Sequence, residues 1–171
     1  MYSDQFLHIV DESIDPQGKE LIFKFFISFS RFECALKNTL IFTLVNNNNV
    51  RPNWDRFINS ISDDFQPNRT PALFDAVDYL ITNPPKRQQI ANRQLSWQNL
   101  TLPPQTSMCM RLGIYIRTVR NNLFHGGKFV GSYEPDISRN YTLINNCLII
   151  LDEWLSLNED VKKHFLTRIV A

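Results

Sequence analysis

The sequence predicts an all-α bundle of four to five helices, with a long loop before the helix that carries the candidate chemistry. Three observations lead there. Apolar residues recur at spacings of three and four over most of the chain. Asp15-Pro16 and Thr70-Pro71 each join a capping side chain to a proline suited to the first helical position. There is no internal repeat and no alternation of strand-like with helix-like segments, so packed helices are the architecture that buries the apolar faces.

The elements follow in order. Residues 1–14 are acidic and polar and are expected to be loosely ordered. Asp15-Pro16 opens a long helix through KELIFKFFISFSRFECALKNTLIFTLV, which the polar run Asn46-Asn47-Asn48-Asn49 ends. Asn53 caps a shorter helix, WDRFINSISDDF, closed by Pro67. Thr70-Pro71 opens PALFDAVDYLIT, and Pro84-Pro85 stops it. Residues 84–105 hold four prolines and no helical periodicity, so they predict a structured loop anchored by Leu95, Trp97 and Leu100. Lys86, Arg87 and Arg93 give this loop the densest local excess of positive charge. A loop of such length serves either a function or a plain solvated crossover. A helix over 107–125 follows, with Gly126-Gly127 as its C-cap. After a glycine-containing turn come helices near 138–157 and 160–170, with Asn158 capping the last.

Composition narrows the function classes. The length suits one domain over 1–171, and 13 Phe exclude a disordered chain. With 18 Lys+Arg against 17 Asp+Glu, any nucleic-acid-binding surface must be local. The amino-terminal segment lacks the basic and apolar regions of a signal peptide. The most apolar stretch, 21–45, is broken by Lys24, Arg31, Glu33 and Lys37, so no membrane span and no membrane partner are expected. Cys34, Cys109 and Cys147 fit neither a disulfide framework nor paired zinc ligands; they predict small buried hydrophobes, and the cytoplasm is the simplest compartment. No HExxH is present, and Gly126-Gly127-Lys128 lacks the flanking residues of a phosphate loop, so neither a metal nor another cofactor is expected. The carboxylates Asp63-Asp64, Asp75, Asp78 and Asp152-Glu153 read as solvated faces, and His8 and His164 as surface residues.

The segment RLGIYIRTVRNNLFHGGKF separates into faces at about 100° per residue. Leu112, Ile116, Val119 and Leu123 share one arc, assigned to the core. Arg117, Asn121 and His125 stack at spacings of four, with Arg120 beside them. Two guanidinium groups, an amide and an imidazole suit a phosphate and a proton transfer better than they suit mere solvation. A histidine at a helix C-terminus is also favourable simply as a cation at the negative end of the dipole.

Arg120-Asn121-Asn122-Leu123-Phe124-His125 resembles the Arg-polar-x-x-x-His signature of HEPN domains, all-α nucleases of bacterial defence and toxin–antitoxin systems. Phe29 to Lys37 is similar to the phenylalanine-and-glutamate segment on the first helix of such domains, and Pro84-Pro85-Lys86, Trp97 and Gly126-Gly127-Lys128 resemble the stand-alone branch. The resemblance implies a metal-independent endoribonuclease, a toxin or defence effector acting as a homodimer. Arg120 would bind and polarise the scissile phosphate, Asn121 would orient it, and His125 would transfer protons. Glu33 would hold Arg120 or His125 in place; its plainer role is a pair with Lys37 along the helix. Arg117 joins the supporting set from the helical face, and Lys86, Arg87, Arg93 and Lys128 form the expected RNA groove. Attack by the substrate's 2′-hydroxyl would leave a 2′,3′-cyclic phosphate and a 5′-hydroxyl, with two copies of His125 at a composite site on a two-fold axis. Besides RNA and a second copy, a separately encoded antitoxin or regulatory protein is the partner such a nuclease implies. The alternative is a non-catalytic HEPN-like module that binds RNA, a nucleotide or a protein.

Overall fold

The computed structural model describes residues 1–91, 93–124 and 137–168, the side chains of Ala91, Leu95, Phe124 and Ile137 excepted. Among them are seven α-helices: α1 (Tyr2–Ser13), α2 (Pro16–Asn38), α3 (Trp54–Ile61), α4 (Pro71–Thr82), α5 (Met108–Phe124), α6 (Ile137–Ser156) and α7 (Glu159–Leu166). Two antiparallel hairpins interrupt the series, β1 (Thr43–Asn46) with β2 (Asn49–Pro52), and β3 (Arg87–Ala91) with β4 (Gln94–Gln98). The architecture is mostly helical, as expected, but with more helices than four to five and with two small sheets.

The capping signals act where they were expected. Asp15 accepts the Gly18 N–H at 2.9 Å, Asn53 the Arg56 N–H at 3.1 Å, Thr70 the Leu73 N–H at 3.1 Å and Asn158 the Val161 N–H at 3.0 Å. Each bond satisfies a backbone donor that the first helical turn leaves without a partner. The Asp15 carboxyl is held below its ordinary range by the Gly18 N–H and by the Tyr141 hydroxyl, which donates to its other oxygen at 2.9 Å. Burial, helped by that carboxylate, pushes the Tyr141 hydroxyl up to about 12, so it remains a donor at neutral pH.

Four expectations need correction. The amino-terminal segment expected to be loosely ordered forms α1, although none of its residues is buried. The long helix stops at Asn38, short of the asparagine run. Side chains satisfy its last carbonyls: Asn38 donates to Cys34 O at 2.8 Å, Thr39 to Ala35 O at 3.0 Å and Thr43 to Lys37 O at 2.9 Å. The asparagines are instead a hairpin turn, with Asn47 at φ 47° and Asn48 at φ 63°. Two successive left-handed residues make the tight turn whose twist matches antiparallel strands, and asparagine tolerates that conformation. The expected loop over 84–105 contains the β3–β4 hairpin, with Arg93 at its turn in the left-handed region, φ 63°. Beyond the hairpin the chain is pinned by Arg111, whose guanidinium donates to the carbonyls of Pro103, Pro104 and Thr106 at 2.9–3.2 Å. The Gly126-Gly127 cap lies outside the described residues.

α2 is the central core element. Phe25, Phe29, Phe32 and Leu36 are buried on one face of it, at the three-and-four spacing. Trp54 stacks on Phe32, with ring centroids 5.2 Å apart and planes at 2°, and on Phe29 at 5.4 Å and 26°. The arc of α5 assigned to the core is buried as expected: Leu112, Ile116, Val119 and Leu123. Cys109 and Cys147 are buried and Cys34 half-buried, and none of the three is joined in a disulfide.

Gly113 lets α5 approach the core closely, because a Cβ there would run into Ile58 Cδ1 and reach the Trp154 ring. Both neighbours are fully buried. Gly113→Ala is therefore expected to lose about 1 kcal/mol of stability in urea unfolding, since overpacking outweighs the gain of alanine in a helix. An increase in stability would show that Ile58 has room to move.

Candidate nucleic-acid interface

α5 and the β3–β4 hairpin enclose a cleft of about 370 Å³ between them. Arg117, Thr118 and Asn121 line it from the solvent side of α5, with Ile114 and Leu100 as an apolar floor and Arg87 and Gln88 opposite. The hairpin is fastened to the helices at its base. Asn122 Nδ2 donates to the Lys86 carbonyl at 2.8 Å, and Arg139 of α6 donates to the Pro84 carbonyl at 3.3 Å. Asn122 is buried, so this bond is made where water competes poorly. It fixes Arg87 and Gln88 beside α5, although the residue falls at an unspecified position of the signature.

The expected site residues divide into groups. Arg117, Asn121 and Arg87 meet in the cleft. Arg117 is half-buried; its Nε donates to the Gly113 carbonyl at 3.2 Å and its Nη2 lies 3.6 Å from Asp55 Oδ1 on α3. That pair positions the guanidinium without burying it, so its charge is shared with the cleft and not consumed. Arg120 stands about one-quarter turn away on α5. Its guanidinium lies over the Phe29 ring, 5.5 Å from the centroid, and its Nη1 donates to Asn121 Oδ1 at 3.0 Å. Arg120 thus bridges the aromatic face of α2 to the amide at the cleft edge.

Glu33 lies one turn beyond Phe29 on α2, and its Oε1 accepts the Trp54 indole N–H at 3.1 Å. Its partner is neither Lys37 nor Arg120 but the tryptophan on which the Arg120-bearing ring stacks. Lys86 is half-buried at the hairpin base, and Arg93 is exposed at its turn. His125 and Lys128 lie outside the described residues. Sequence reasoning missed Gln88, Thr118 and Asn122 in the cleft and Asp55 behind it. Asn122 carries a legible signal, since its helical position borders the buried arc, where an amide needs a fixed partner.

The arrangement can do two things chemically. Arg87 and Arg117 offer planar donor forks of the kind that match phosphate oxygens, and the amides of Gln88 and Asn121 offer donors and acceptors to a base edge. Among the described residues, no group of three or more His, Cys, Asp or Glu side chains is gathered so as to hold a metal ion. Asp75 and Asp78 are both exposed. No described helix is long and apolar enough to cross a membrane. Comparison with protein-family models, with curated proteins and with solved structures returns no match.

Proposed function

We propose that this chain is a metal-independent endoribonuclease of the HEPN type, a toxin or defence effector that cleaves RNA through its own 2′-hydroxyl. The observation that carries the proposal is the cleft in which Arg87, Arg117 and Asn121 converge, with Arg120 bonded to Asn121 at its edge. A phosphate in the cleft would be neutralised by the two arginines, leaving Arg120 and Asn121 to polarise it. His125 follows Asn121 by one turn of sequence and would take or give the proton. A second copy would supply the second imidazole that acid and base catalysis require. Support for that copy comes from α2, where Phe23 and Phe26 are exposed close in sequence to the Phe29 platform of Arg120.

The test is cleavage of a mixed RNA pool in EDTA, with end-group analysis of the products. Cleavage leaving 2′,3′-cyclic phosphate and 5′-hydroxyl ends is the expected outcome. A folded chain that cuts no RNA, or one whose activity EDTA removes, would sink the nuclease proposal. One observation favours a second reading: Arg120 is engaged with Phe29 and does not line the cleft. The cleft would then serve a non-catalytic module that binds RNA. Retention of RNA by a chain that never cleaves it would establish that case.

A further inference from the structure

The cleft between α5 and the β3–β4 hairpin carries a hydrogen-bond pattern as well as positive charge. Arg87 and Arg117 supply donors, and so does the Asn121 amide, whose Oδ1 already accepts from Arg120 at 3.0 Å. Two acceptors stand on opposite walls. Thr118 of α5 spends its one hydroxyl proton on the Ile114 carbonyl at 2.8 Å, so its oxygen offers the cleft lone pairs alone. Gln88 of β3 faces it with a side-chain amide, a carbonyl oxygen beside two N–H donors. Among the described residues, no hydrogen bond engages that amide. Between the two walls, Ile114 and Leu100 are half-buried against the core and give the cleft an apolar floor.

We propose that the cleft selects an unpaired adenine or cytosine of the RNA, the two bases whose exocyclic amine lies next to a bare ring nitrogen away from the ribose. The ring would rest on Ile114 and Leu100. One amine hydrogen would go to Thr118 Oγ1 and the other to Gln88 Oε1, while Gln88 Nε2 donates to the ring nitrogen. Uracil and guanine carry a carbonyl oxygen where the amine would be. That oxygen would meet the Thr118 lone pairs with no hydrogen between them, a desolvated acceptor left unpaired.

In a duplex the amine is taken by base pairing, and the deep, narrow major groove of RNA admits no side chain, so the selected base must be unpaired. A cavity of about 150 Å³ holds benzene, so the 370 Å³ here has room for either ring. Arg87 and Arg117 would hold the phosphate attached to the same nucleotide. The inference rests on the reading of the cleft as the RNA site, and it makes Gln88 and Thr118 specificity-determining residues.

The experiment compares 2′-fluoro oligo-adenylate, oligo-cytidylate and oligo-uridylate of equal length, bound to the full chain in EDTA and followed by fluorescence anisotropy. Fluorine replaces the attacking hydroxyl, so binding is read without cleavage. At least one of the two amine-bearing oligomers is expected to bind about tenfold tighter than oligo-uridylate. Their order tells which ring the cleft prefers. Thr118→Val keeps the shape but not the lone pairs, and Gln88→Leu removes the amide; each should shrink the preference, and Thr118→Ser should keep it. The two positions lie on separate elements, so a variant that fails to fold leaves the other decisive. Equal affinity for all three oligomers, tighter oligo-uridylate, or a preference that survives both substitutions overturns the base selection and leaves the RNA cleft standing. A folded wild type that binds none of them overturns the reading of the cleft itself.

Discussion

Alanine in place of Arg120 is expected to lower EDTA-resistant RNA cleavage by about a hundredfold or more and to cost the fold about 1 kcal/mol. The two effects have separate origins. The first is the loss of a cation aimed at the charge that develops on the phosphate. The second is the loss of the guanidinium over Phe29, 5.5 Å from the ring centroid. Arg120→Lys separates them. A lysine keeps the charge and the contact with the ring but cannot present two parallel donors. Stability should therefore return toward wild type while the cleavage rate stays low. Arg117→Ala is the useful contrast, because Arg117 lines the cleft and its pair with Asp55 is weak, 3.6 Å apart and partly exposed. Its removal should raise KM more than it lowers kcat. His125→Ala should lower kcat by about 10²–10⁴-fold, as loss of a proton-transfer group does. The measurements are initial rates beside thermal unfolding of each variant. If the rate of Arg120→Ala falls only as far as its folded fraction, Arg120 is a structural residue and leaves the site.

Local chemistry made much of this fold legible. Asp15, Asn53, Thr70 and Asn158 each announce a helix because the cap bond is made within three residues, so sequence neighbours alone decide it. The buried arc of α5 was legible for the same reason, since helical periodicity is a local property. The hairpins were not. Leu44, Val45 and Val50 are exposed on β1 and β2, so the first hairpin shows no alternation between a core face and a solvent face. Its signal was the asparagine run itself, which marks a turn as well as a helix end. At the site, the spacing of Arg117 and Asn121 correctly placed them together. What spacing could not convey is the neighbour across the gap. The bond from Asn122 to Lys86 joins residues 36 positions apart. The engagement of Arg120 with Phe29 depends on how α5 crosses α2, which no single helical face encodes.

That crossing makes Trp54 the residue where fold and site depend on each other most. Trp54→Ala is expected to cost about 3–5 kcal/mol in urea unfolding, a large share of the stability of an ordinary domain. The indole is buried between Phe29 and Phe32 and closes the α2–α3 contact. Without it Phe29 loses one of its faces, and the ring that carries Arg120 is free to turn. Cleavage by Trp54→Ala should then fall further than its folded fraction does. Trp54→Phe keeps an aromatic ring in the stack and should recover most of the stability. Glu33→Gln decides what the carboxylate contributes. The amide oxygen of glutamine still accepts the indole N–H that Glu33 accepts at 3.1 Å, so stability should change by less than about 0.5 kcal/mol. If the charge of Glu33 anchors Arg120 or His125, the same variant loses activity at unchanged stability. If Glu33 serves the cleft only by holding Trp54, the variant cleaves as wild type does and Glu33→Leu is the damaging change. The bond to Trp54 favours the second outcome, in which the acidic residue of α2 acts on the site through the aromatic stack.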